Sequence, residues 1–361
     1  MHSSNDYSWL DRLIHRLAFE LRPLQRVLIE LEDDLYKTQI KAARRGGEVF
    51  VTGLPRSGTT LLLNLLYETG EFTTFTYRQM PFLQIPLLWQ KISSPFQRAG
   101  VKKERAHGDS VAVSFDSPEA FEEAIWLDYL REKIVTEKYL NPITAQDCSK
   151  EFVQNFKKTI AKLIALSGLP PGEQPRYLSK NNVNISRLTA LPKLFPDSII
   201  FVPFREPAAH VSSLIHQHNR FMERHLEDRF SKKYMEWLGH FEFGGNLKPV
   251  NYSGWLTERS FDPSNLTPDF WLDYWIQAYT HVERNLSSKV FLIDYERFLD
   301  DGTGLLSKIS DCAAISQSHQ LEKSVDVLRK PTTSPTPIMD FDPVLWEKAE
   351  ALYHALRGRS L

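Results

Sequence analysis

Between Glu48 and Gly70 the chain passes from a β-type run, through a glycine-bounded turn, into a leucine-rich helix. Val49 to Thr52 reads as a short strand that reaches Gly53. Leu54 to Gly58 forms a tight polar turn, and Thr59 and Thr60 open a helix that runs through Leu61–Leu66 and stops near Gly70. A strand ending in such a turn aims the freed N–H groups of a helix start, and the positive end of its dipole, at one spot. That is a phosphate cradle. Gly53 and Gly58 let the backbone approach closely, Pro55 lies within the turn, and Arg56, Ser57, Thr59 and Thr60 add donors. A glycine-proline turn ahead of a buried helix would explain the glycines but not the convergence of donors.

The spacing is Gly-x-x-x-x-Gly, as in nucleoside triphosphate loops, but Thr59 occupies the place of the lysine that reaches the β- and γ-phosphates. The substitution argues against ATP or GTP, and the cationic residue, Arg56, sits inside the turn instead.

Pro-Arg-Ser-Gly-Thr-Thr-Leu, residues 55–61, resembles the 5′-phosphosulfate loop of sulfotransferases that use 3′-phosphoadenosine 5′-phosphosulfate (PAPS). Arg56 is nearer the Golgi-type and bacterial branches than the cytosolic one, which has lysine there. A second region carries the same resemblance. The apolar run Ser198–Phe204 reads as a strand, ends at Arg205, and is followed by a helix from Pro207 to about Asn219. Arg205 and Ser213, eight residues apart, keep the spacing with which the family holds the 3′-phosphate; Ser212 is adjacent. A dianionic ribose phosphate suits a guanidinium and a hydroxyl donor, and arginine rather than aspartate at this strand end points away from a magnesium nucleotide.

Lys180 ends another short strand, Arg176–Ser179, and matches the lysine that the family places before its acceptor site. Asn182 stands where the cytosolic branch has its histidine base, and an amide cannot take a proton at neutral pH. The candidate bases are Glu122, which shares a face with Trp126 and Tyr129, and Glu123, on a helix expected to start at Ser117-Pro118-Glu119; the resemblance to bacterial-type members, which carry acidic clusters at this point in the order, supports them, with His107 as the rival. No Asp or Glu occurs from Phe72 to Val101, so the role is not filled there. The candidate catalytic set is Arg56, Lys180, Glu122, Glu123 and His107. His216 and His218 are two apart on a helix, off a common face, and no metal is expected.

The fold the resemblance implies is a three-layer α/β domain, a parallel sheet flanked by helices, over residues 47–361. Helical periodicity at Leu10, Leu13, Ile14 and Leu17, then at Leu24, Val27, Leu28 and Leu31, predicts an N-terminal arm over 1–46, broken near Pro23, that packs on the core or makes a homodimer. A helix from Ile185 to Leu194 and a last strand at Lys289–Ile293, followed by Glu296 in a structural role, complete the core. The aromatic segment 222–275 reads as an insertion suited to a substrate lid, and Arg329-Lys330 as a further basic pair for the 3′-phosphate.

The implied reaction is sulfuryl transfer from PAPS, leaving adenosine 3′,5′-bisphosphate (PAP), to a hydroxyl or amine of a small-molecule, lipid or glycan acceptor. An atypical nucleotide kinase or NTPase, and a non-catalytic PAPS/PAP-binding protein, are the other readings. A formal net charge of −1 gives no bulk attraction to nucleic acid. Two distant cysteines, a polar Met1–Leu10 and no long apolar run lead to the expectation of a cytoplasmic protein without a membrane span.

Overall fold

The computed structural model describes residues 9–44, 46–94, 103–104, 112–113, 116–317, 321 and 339–361. His107 and the Arg329-Lys330 pair lie outside these. Strands β1 (Val49–Val51), β2 (Phe72–Thr73), β5 (Arg176–Lys180), β6 (Ile199–Phe204) and β7 (Val290–Asp294) form one sheet in the order β2-β5-β1-β6-β7. Every pairing in it is parallel. A separate two-strand ribbon pairs β3 (Lys103–Glu104) with β4 (Ala112–Val113).

Helices cover both faces, which is what near-continuous apolar strands require. Side chains alternate along each strand, so one set serves each layer. Val49, Val51, Leu178, Phe201 and Ile293 pack against α4 (Thr59–Glu68) and α13 (Gly302–Ala313). Phe50, Tyr177, Ile200, Val202 and Leu292 face the other way. There they join the core shared with α7 (Lys150–Ala165), α11 (Pro268–Arg284) and α14 (Pro343–Arg357). Central β1 lies between β5 and β6, with Val51 in register with both Lys180 and Phe201. The chain therefore leaves β1 toward both edges, and the crevice past its C-terminal end is where open α/β sheets take ligands.

The N-terminal arm is α1 (Trp9–Glu20), α2 (Arg22–Leu35) and α3 (Lys37–Ala42), with Pro23 in the first turn of α2, as expected. Phe19 stacks on Trp237 of α10 (Arg229–Leu238), and the fully buried Lys162 of α7 pairs with Glu32 of α2 at 2.9 Å.

Three expectations are corrected. The helix anticipated at Ser117 begins instead at Glu123, as α6 (Glu123–Ile134). Pro118 bridges to Thr76, and the Glu119 N–H donates to the Phe75 carbonyl at 3.0 Å, so this segment is held against β2's extension before it can coil. The helix expected over 185–194 divides into a 3-10 turn, Asn182–Arg187, and the short α8 (Leu191–Leu194), because Asn181 caps the turn directly off β5. The helix after β6, α9 (Pro207–Glu227), continues well beyond Asn219. Within 222–275, Tyr252, Trp271 and Trp275 are buried. The remaining helices are α5 (Pro86–Ser93) and α12 (Tyr295–Asp300).

Candidate active site

The turn between β1 and α4 closes as tightly as its glycines suggest. A Cβ on Gly53 would stand 2.8 Å from both the Pro203 carbonyl oxygen and Ser57 Oγ. Gly58 has φ +98, and a Cβ there would meet the Tyr295 ring at 2.6 Å. Arg56 also occupies the left-handed region, with φ 72, a conformation that costs a non-glycine residue roughly 1 kcal/mol or more. Its surroundings hold it there, since Arg205 Nη1 donates to the Arg56 carbonyl at 3.3 Å. Ser57 is buried under the loop, while Pro55, Arg56 and Thr60 lie at its half-buried rim.

The N-cap of α4 is Gly58, which has no side chain to close that end. Helix α9 contrasts with it: the Glu206 carboxylate accepts from the N–H groups of Ala208 and Ala209 and closes that end itself. Of the two helix starts beside the crevice, the one on the glycine-bounded turn is left for an anion.

The structure brings the two predicted clamps together. Arg56 Nε donates to Ser213 Oγ at 3.2 Å, although the residues are 157 apart in sequence. The Arg205 guanidinium lies over the Tyr295 ring, 4.7 Å from its centre, and 3.7 Å from the Glu296 carboxylate. Burial pushes the Glu296 carboxyl up, and the Arg205 charge opposes this. His210 ties α9 to the loop: burial first, then the Arg205 charge, pushes it down to about 3. It is therefore neutral, and its Nε2–H donates to the Pro55 carbonyl at 2.9 Å.

From the other side of β1, Thr59 Oγ1 donates to Asn182 Oδ1 and Thr52 Oγ1 to the Asn182 carbonyl, both at 3.3 Å. Asn182 Nδ2 donates in turn to Glu242 Oε1 at 3.1 Å, and His240 Nδ1 lies 3.6 Å from Glu242 Oε2. Burial alone would raise the Glu242 carboxyl. The hydrogen bond and charge of His240, with the charge of Lys180 at the end of β5, outweigh it and hold Glu242 down at about 2. A continuous polar chain thus leads from the start of α4 to His240. Glu242 also lines a small cleft with Pro55, Asn182, Val183 and Tyr274.

Sequence reasoning missed His240 and Glu242. They sit in the irregular segment after α10, some sixty residues from Asn182, with no local motif. The available signal was indirect: an amide at position 182 requires that any proton acceptor come from elsewhere.

Glu122 and Glu123 lie behind this chain, in the interior. Glu122 accepts from Trp126 Nε1, Asn184 Nδ2 and the Tyr177 hydroxyl at 3.0, 2.8 and 2.9 Å. Glu123 receives both terminal nitrogens of the fully buried Arg187, at 2.6 and 2.8 Å, and Asn181 Nδ2 at 2.8 Å. The Arg187 guanidinium covers the Trp126 ring at 4.0 Å. Every carboxylate oxygen of the pair is engaged in a closed network. Among the described residues, no group of three or more His, Cys, Asp or Glu side chains is placed to hold a metal ion, and no helix is long and apolar enough to cross a membrane.

The chain is similar to the sulfotransferase STF1 of Mycobacterium tuberculosis H37Rv, with TM-score 0.50 and 13% identity over 95% of this chain and 85% of that one. It is also similar to STF9 of Mycobacterium avium, with TM-score 0.44 and 15% identity over 84% of this chain and 72% of that one. No curated protein matches it by sequence. Identities this low speak for the fold alone. The family model of the sulfotransferases, however, matches residues 48–253, which is more than half of the sequence and spans the loop, Lys180, Arg205, Ser213 and the His240–Glu242 pair. The chain belongs to the sulfotransferase family.

Proposed function

We propose that this enzyme takes PAPS as sulfuryl donor, releases PAP, and transfers the sulfuryl group to a hydroxyl or amine of a small molecule, lipid or glycan. The observation that carries the reading is the Arg56–Ser213 hydrogen bond, which joins an uncapped helix start to the arginine-serine clamp. Pro55, Arg56, Ser57, Gly58, Thr59 and Thr60 would hold the 5′-phosphosulfate end, and Arg205 and Ser213 the 3′-phosphate. The donor set fits an anion at each end: cations, hydroxyls and loop N–H groups, in a cradle too tight for a Cβ at Gly53 or Gly58.

Bound PAPS would supply an activated S–O bond; as the acceptor oxygen or nitrogen bonds to sulfur, the bond to the phosphate oxygen breaks and PAP leaves with that electron pair. Arg56 and the loop N–H groups meet the charge that develops, and Lys180, at the ligand-facing end of β5, adds a second cation. The acceptor's proton needs a base. We assign it to the His240 imidazole, with Glu242 as the ionised carboxylate that orients it, because Glu242 lies 3.6 Å from His240 Nδ1 and is linked through Asn182 to Thr59. Glu122 and Glu123 are given the structural role of holding Asn181, Asn184 and Arg187 in place.

The reading is tested with sulfur-35 PAPS and a panel of alcohols, phenols, amines and glycans. Label should reach at least one acceptor, and Glu242→Gln should lower the rate by roughly 10²-fold or more while PAP affinity stays within threefold. PAP binding without transfer to any acceptor would make the chain a binding protein. A fully active Glu242→Gln would remove the assigned His240–Glu242 pair.

A further inference from the structure

Glu296 sits in the first turn of α12, beside Arg205. Its two carboxylate oxygens are used differently. Oε2 accepts from the Glu206 N–H at 3.1 Å and from the Tyr353 hydroxyl at 3.3 Å. These bonds tie it to the turn after β6 and to α14. Oε1 lies toward Arg205, whose Nε is 3.7 Å away. That is ion-pair range but too long for a hydrogen bond, and Arg205 Nε is buried with no hydrogen-bond partner. The guanidinium is otherwise held by the Arg56 carbonyl and the Tyr295 ring.

The charges around this carboxylate are few and mostly engaged. Among the described residues, Arg205 is the one cation in ion-pair contact with it. Arg357 of α14 is bonded to Asp294 at 2.7 Å, and Asp294 adds a like charge beside Glu296. The Glu206 carboxylate is turned to the N–H groups of Ala208 and Ala209. Tyr279, Tyr295 and Tyr353 are neutral, since burial pushes each phenol up. Burial also favours the protonated form of Glu296, and the Arg205 charge opposes it.

Resting on the assignment of the 3′-phosphate to Arg205, we propose that Glu296 is a positioning residue of that clamp and takes up a proton from solvent when the nucleotide binds. A phosphate dianion on Arg205 sets a second anion on a guanidinium that Glu296 already shares. It thereby weakens the one attraction that keeps the carboxylate ionised. The anchored Oε2 keeps Glu296 beside Arg205. A proton on Oε1 removes the repulsion, leaves both bonds to Oε2 in place and turns Oε1 into a donor. The proton returns to solvent when the nucleotide leaves. Because the bound state holds the extra proton, affinity falls as pH rises through the range of this carboxyl.

The test is calorimetric titration of the full chain with PAP. Hepes and Tris, run at one pH, differ in ionisation enthalpy and so report the protons exchanged. Titration of the phosphate itself, with its second pKa near about 6, is common to wild type and variant, and the difference between them reads Glu296. The wild type should take up more protons than Glu296→Gln. Near pH 8 the variant should bind PAP about tenfold more tightly than wild type, an advantage that closes toward about pH 5.5. A merely structural role would shift affinity equally at every pH. Adenosine 5′-monophosphate, which lacks the 3′-phosphate, should bind both proteins alike. Tyr353→Phe, which removes a donor to the ionised carboxylate, should move the wild-type step to higher pH. Parallel pH profiles and equal proton numbers in wild type and Glu296→Gln would overturn the proposal while leaving the 3′-phosphate on Arg205. PAP binding that Arg205→Ala fails to weaken would instead remove the phosphate from Arg205, and the proposal with it.

Discussion

Glu123 shows what one residue's surroundings decide. Its two oxygens take both terminal nitrogens of Arg187, a side chain with no exposure, and Asn181 as well. Such a carboxylate is costly to alter, because its loss strands a buried cation. Glu123→Gln should therefore lower stability by about 3 kcal/mol in urea unfolding. Unchanged stability together with lost turnover would restore Glu123 as the base. Its sequence context could not separate the two roles, because both need an acidic residue on a helix among aromatics. What separates them is Arg187, 64 residues away, and only the turn after β5 brings it there. Glu242 presents the converse case: nothing beside it in sequence marks it, and its relation to Asn182 and Lys180 appears only when the segment after α10 folds back over the crevice.

Among elements, the β1–α4 turn was the most legible. Its constraints are local: a strand, two glycines at fixed spacing and a helix start leave few backbone paths. The structure adds that Gly58, at φ +98, also makes room for Tyr295 from the end of β7. Gly58→Ala should consequently displace either the loop or that ring and weaken PAP binding by tenfold or more in calorimetric titration, with the overall fold retained. Wild-type affinity in this variant would mean that the loop's closeness is immaterial to binding. The helix expected at Ser117 was misread for an instructive reason. Serine, proline and glutamate form a sound start signal, but here the same backbone is taken up by Phe75 and Thr76. A long-range pairing outweighed a local preference. The short helical pieces at Asn182–Arg187 and Leu191–Leu194 are likewise not separable from the sequence, since apolar spacing alone does not reveal where a capping Asn181 begins a tighter turn.

At the scale of the whole molecule, the strand order β2-β5-β1-β6-β7 does the assembling. With β1 in the middle, the loop after it, Lys180 at the end of β5 and Arg205 after β6 emerge side by side, although the loop lies more than a hundred residues of sequence from the other two. The α/β class, and the gathering of the proposed clamp residues at one edge, were readable because strand ends in a parallel sheet share that edge. The proposed proton-accepting pair, His240 and Glu242, was not, because it is delivered from the irregular segment after α10. Under the proposed function, two basic clamps, the turn at 53–60 and the pair Arg205–Ser213, grip opposite ends of one adenosine bisphosphate. Calorimetric titration of PAP without metal, in the wild type and in Arg205→Ala, tests it most directly. PAP should bind the wild type, and Arg205→Ala should weaken it by about 2 kcal/mol or more; equal affinity in the two proteins would remove the 3′-phosphate clamp.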